Sequence, residues 1–88
     1  MRLDKFLKVS RVIKRRTVAK EVCDSGKVYI NGRVAKSGTE VKPGDILELN
    51  FGSRKLKIRI LNTPPSIPAN MAKETYLVIE GKDDFSED

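Results

Sequence analysis

Along this chain the spacing of apolar and polar residues changes period once, near Gly26. Before it, Leu3, Phe6 and Leu7 stand at i, i+3 and i+4, which predicts a short helix with one apolar stripe. On that helix Asp4, Lys5 and Lys8 fall on the opposite, polar side, with Arg2 on its flank. Val12 and Ile13 are expected to continue the core across a bend near Ser10. Thr17 reads as the N-cap of a second helix, residues 18–25. Its capping box is incomplete, because Lys20 stands where Glu or Gln belongs. Val18, Ala19, Val22 and Cys23 share one arc of this helix, and Gly26 reads as the residue that ends it.

After Gly26 the pattern alternates. Val28 and Ile30 lead into Asn31-Gly32, a strong hairpin signal, and Arg33 to Lys36 reads as the returning strand. Ser37 to Val41 reads as a loop and Lys42-Pro43-Gly44-Asp45 as a tight turn. Leu47, Leu49 and Phe51 alternate in the next strand, and Leu56, Ile58 and Ile60 in the one after. Pro64, Pro65 and Pro68 make residues 62–70 an extended linker. Tyr76 to Ile79 reads as a last strand on an edge of the sheet. Residues 81–88 hold four acids and one lysine and read as a disordered acidic tail.

These elements predict an α/β (α+β) fold: two short N-terminal helices followed by a small, mainly antiparallel sheet. The expected organisation is one binding domain over residues 1–61, a Pro-rich linker with a C-terminal strand over 62–80, and the tail over 81–88. A sequence of 88 residues supports a single small core.

Charge sharpens the picture. The net charge is +6, but residues 1–60 carry 16 Lys/Arg against 6 Asp/Glu, while the remainder is acidic. Eight Lys or Arg fall within the first twenty positions, against Asp4 alone. They alternate with apolar residues at helical spacing, so they belong to a folded basic surface, which points to nucleic acid. Candidate RNA-binding residues are Arg2, Lys5, Lys8, Arg11, Lys14, Arg15, Arg16 and Lys20.

The sequence has no histidine and one cysteine. The commonest general base is therefore missing, and neither an intramolecular disulfide nor a Cys-based zinc site can form. Cys23 shares its arc with Val18 and Val22, so a small core residue is expected there. No metal, no other cofactor and no enzymatic activity are expected. With no apolar run approaching a membrane span, the expectation is a cytoplasmic protein with no membrane contact.

Several ordered motifs carry a resemblance to a known family. They are Arg2-Leu3-Asp4-Lys5-Phe6-Leu7, then Arg15-Arg16-Thr17 with Ala19, then Ser25-Gly26 with Val28 and Ile30-Asn31-Gly32. Lys36-Ser37 and Val41 with Pro43-Gly44-Asp45 complete the set. Residues 1–60 so resemble the RNA-binding domain of ribosomal protein S-four. Among stand-alone members the sequence is most similar to the RqcP family of ribosome-associated quality-control factors, and less so to the fifteen-kilodalton heat-shock RNA-binding protein. The opening from Met1 to Glu21 and the acidic ending favour the former.

The resemblance implies a job and its partners: large-subunit rRNA, P-site tRNA, the stalled large ribosomal subunit itself, and the factor RqcH. It implies support of C-terminal alanine tailing of stalled nascent chains. It also implies that Arg2 and Arg16 contact rRNA and that Asp4 orients the arginines. Two rival expectations are a heat-shock-type recycling factor for aborted large-subunit complexes, and an assembly or regulatory factor for free structured RNA. Physically, guanidinium groups suit phosphate, and A-form RNA is read by shape and phosphate position.

Overall fold

The computed structural model describes residues 1–81; the expected acidic tail, apart from Gly81, lies outside the described residues. Helix α1 spans Leu3–Val9 and α2 spans Arg16–Asp24. Five strands follow: β1 Val28–Ile30, β2 Arg33–Val34, β3 Ile46–Phe51, β4 Arg54–Ile60 and β5 Tyr76–Gly81. They form one sheet of order β2-β1-β3-β4-β5, with every pair antiparallel.

One face of the sheet is the core face. Val28, Leu49 and Leu56 lie side by side across β1, β3 and β4, and Leu47 pairs with Ile58 one step along. All five are fully buried, and they join Leu3, Phe6 and Leu7 of α1 and Ala19 and Cys23 of α2 in one cluster. Glu48 and Lys57, from the alternate positions, are paired on the other face. Val12 and Ile13 are buried past the Ser10 bend, as their apolar character predicts.

Asn31-Gly32 makes the two-residue turn between β1 and β2, with φ of 52° and 84°. Both values suit a type I′ turn, whose twist matches the flanking strands. The Asn31 side chain accepts from the Ile46 N–H at 2.9 Å and donates to Asp45 Oδ1 at 3.1 Å. The hairpin turn is thus tied to the Lys42–Asp45 turn.

Several sequence expectations are corrected. Thr17 is not a cap: α2 starts one residue before it, with Arg15 in the N-cap position in extended conformation and no side-chain cap bond. The returning strand is shorter than expected, Arg33–Val34; Ala35 beyond it is buried and still donates to the Val28 carbonyl at 2.8 Å. Residues 69–75, read in part as linker, form a three-ten helix, Ala69–Thr75, whose Ala72 and Thr75 are buried. Gly81 belongs to β5 rather than to a tail.

Gly81 has a defined reason to be glycine. Its φ is +86°, and a Cβ there would sit 1.9 Å from the Lys55 carbonyl oxygen. Gly32 has φ +84° with nothing within 4 Å. Gly32→Ala therefore carries only the left-handed backbone cost, roughly 1–2 kcal/mol. Gly81→Ala carries that cost and a backbone clash, so its melting temperature should fall clearly further than that of Gly32→Ala. Equal losses would mean that β5 shifts freely on β4.

Candidate nucleic-acid interface

The start of α1 lacks a side-chain cap on its N-cap residue, yet its first amides are satisfied. Leu3 N–H donates to the Thr39 carbonyl at 2.8 Å and Asp4 N–H to the Ser37 carbonyl at 3.1 Å. Lys5 N–H donates to Asp4 Oδ1 at 2.8 Å. The loop after β2 therefore caps α1. The same loop is tied to α2: Asp24 accepts from the Ser37 N–H at 3.1 Å and lies 3.3 Å from its hydroxyl. Local pattern marks these residues only as a loop; the buried serine is visible only once the helices are placed.

This frame closes over Asp4. The helical wheel puts Asp4 on the polar side of α1, but in the structure it is 2% exposed. It receives Arg2 in a two-point contact, Nε to Oδ1 at 3.1 Å and Nη2 to Oδ2 at 3.2 Å. Arg16, the first residue of α2, reaches the same Oδ1 at 3.5 Å. One buried carboxylate thus gathers two guanidinium groups from two elements. Both arginines stay about half exposed, at 51% and 48% for the side chains. They are positioned from behind and open in front, which is what recognition of a fixed phosphate needs.

Burial pushes the Asp4 carboxyl up, but the Arg2 hydrogen bond, the Lys5 amide and the nearby Arg16 charge outweigh it and hold it below its ordinary value. Asp45 is depressed in the same balance, burial opposed chiefly by Asn31 and the Lys42 amide. Asp24 is lowered chiefly by the Ser37 amide. The Cys23 thiol is pushed up to about 12 by burial and the charges of Asp4 and Asp24, so it is an inert core residue.

The three depressed carboxyls set a pH dependence. Their folded values lie below the unfolded value of about 3.9, so the unfolded state binds protons more readily as pH falls. Their contribution is complete above about pH 4 and is lost as pH falls through the folded values. Melting temperature should hold steady from pH 5 to 8, where no histidine titrates, and drop below pH 4. In Asp4→Asn the acid drop should be shallower; an identical acid profile would remove Asp4 from this role.

The other basic candidates divide into groups. Lys5, Lys8, Arg11 and Arg16 line one cleft. Lys14 and Arg15 lie in the connection between the helices. Lys20 is spent in part on Asp24, at 3.4 Å. Arg11 follows the C-cap of α1 with φ 61°, a conformation that glycine usually supplies at such helix ends.

A family model for the S4 domain matches residues 1–47, the two helices, the hairpin and the loop that caps α1. The fold and this basic helical face accordingly define a small S4-domain protein. Over 78 residues the sequence is 53% identical to the RQC P-site tRNA stabilizing factor of Halalkalibacterium halodurans, covering 89% of each. To the protein of the same name from Streptococcus pneumoniae it is 49% identical over 79 residues, 90% of each. The trimeric structure of heat shock protein 15 from Vibrio cholerae is similar with a TM-score of 0.80 and 32% identity, over 89% of this protein and 80% of that one. The chain belongs to the family of RQC P-site tRNA stabilizing factors.

Proposed function

We propose that this protein binds RNA on the large ribosomal subunit and steadies tRNA in the P site during ribosome-associated quality control. The observation that carries this reading is the Asp4 cluster, which aims two half-exposed arginines outward from a rigid two-helix unit. The names of the relatives support the P-site tRNA as partner. The protein acts by binding and does not itself catalyse peptide-bond formation. It holds tRNA and rRNA in one geometry while the ribosome's own centre reacts. Its partner is RqcH, whose alanine tailing of stalled chains this binding supports in the cytoplasm.

Sedimentation with large subunits carrying peptidyl-tRNA, over a range of salt, tests the first part. Co-sedimentation is expected, with affinity falling at a log–log slope of roughly −0.7 to −0.9 per phosphate neutralised. A flat salt response, or binding only to free RNA, would count against it. Likeness to heat shock protein 15 favours one second reading, recycling of aborted large-subunit complexes without tailing. Mass spectrometry of the C-termini of stalled polypeptides, in cells lacking this protein, separates the two. Loss of alanine tails supports the tailing role, and their persistence supports recycling.

A further inference from the structure

The cleft beside α1 has two unlike walls. Lys5, Lys8 and Arg11, with Val9 between them, come from α1 and the turn after it and are joined by Arg16 from α2, and Pro65, Ser66 and Ile67 come from the connector between β4 and the three-ten helix. Its volume is about 250 Å³. No acidic side chain lines it, and Lys5, Lys8 and Arg11 form no ion pair among the described residues. Like charges brought to one concavity without a counter-charge repel one another, and an anion relieves that repulsion. The facing wall is different: Pro65 and Ile67 offer apolar surface and Ser66 a hydroxyl. Arg11 adds a third sign. It holds a left-handed backbone where glycine fits without strain, so a charged side chain is kept there against local preference.

We propose that this cleft seats one unpaired ribonucleotide of the bound RNA, its phosphate on Lys5, Lys8 and Arg11 and its base and ribose against Pro65 and Ile67. The inference rests on the RNA-binding reading and deepens it. A duplex presents its backbone on a convex surface and keeps its bases stacked inside, so it cannot fill a two-walled cleft of this size. An unpaired nucleotide can, because it carries an anion and an apolar face on opposite sides. The connector thereby becomes part of the interface and not a spacer.

The test uses the full-length protein, isotope-labelled, titrated separately with a single-stranded pentaribonucleotide, an RNA duplex and inorganic phosphate. The amides of Ser66, Ile67 and Ala69 should shift with the single strand. Ser66→Glu, which places a carboxylate in the cleft, should weaken single-strand binding at least about tenfold. Arg11→Gly should weaken it as well, while the melting temperature holds or rises because the backbone strain is relieved. Shifts confined to the Arg2 and Arg16 surface, with the connector unmoved, would overturn the cleft and leave the RNA reading standing. No response of either helix to any RNA would overturn both. Equal binding of duplex, or the same shifts from phosphate alone, would reduce the cleft to a plain anion site and overturn the nucleotide assignment.

Discussion

Arg2→Ala combined with Arg16→Ala is expected to lower affinity for tRNA-loaded large subunits by at least about 100-fold, since two charge-assisted contacts are lost together. The double variant also melts lower, for a reason the structure makes plain. Asp4 keeps its Lys5 amide bond and its place under the Ser37 loop but loses both cations. An uncompensated buried carboxylate is destabilising. Adding Asp4→Asn removes that charge while retaining a carbonyl acceptor for the Lys5 amide. The triple variant should therefore recover much of the melting temperature and none of the binding. Asp4→Asn alone raises the net charge by one, so charge by itself predicts tighter binding. Positioning predicts weaker binding, because the two arginines lose their common anchor. Sedimentation and thermal melts on the same preparations decide between these. Binding restored along with stability in the triple variant would show the arginines to be structural.

The largest loss of stability is expected from Phe6→Ala. Phe6 is fully buried and heads the largest side chains of the core, on the stripe of α1 that faces the sheet. Truncation removes a ring and leaves a cavity, at roughly 3–5 kcal/mol. A domain of this size has about 5–15 kcal/mol to lose, and each kcal/mol shifts its melting temperature by about 4–8 °C. Denaturant unfolding measures the loss directly. A cost below about 1 kcal/mol would mean that α1 collapses onto the sheet and that the core is less specifically packed than its burial implies.

Local pattern accounts for what was legible in the sequence by itself. The Leu3, Phe6 and Leu7 stripe, the Asn31-Gly32 turn, the alternation in β3 and β4 and the inert Cys23 follow from periodicity and turn chemistry, which need only near neighbours. The basic character of the helical part is likewise a property of composition. Residue-level similarity extended that reading to the family, because its motifs sit at helix starts and turns where few residue types fit.

Tertiary structure alone decided the rest. Asp4 is polar on a helical wheel and became buried because α2 and the loop at Ser37 close over it, a contact between residues far apart in sequence. Ser37 belongs to a family motif, but neither its burial nor its pairing with Asp24 is visible until that closure brings them together. α2 starts at Arg16, ahead of Thr17, and the Arg16 side chain meets the carboxylate of another helix, a contact no local pattern announces. Arg11 looks like one more surface cation in the sequence; the turn after α1 gives it a left-handed backbone and a place beside the Pro-rich connector. Charge, period and turns are encoded locally. Which carboxylate is buried, and which wall faces which, depends on long-range packing, where desolvation and pairing are settled together.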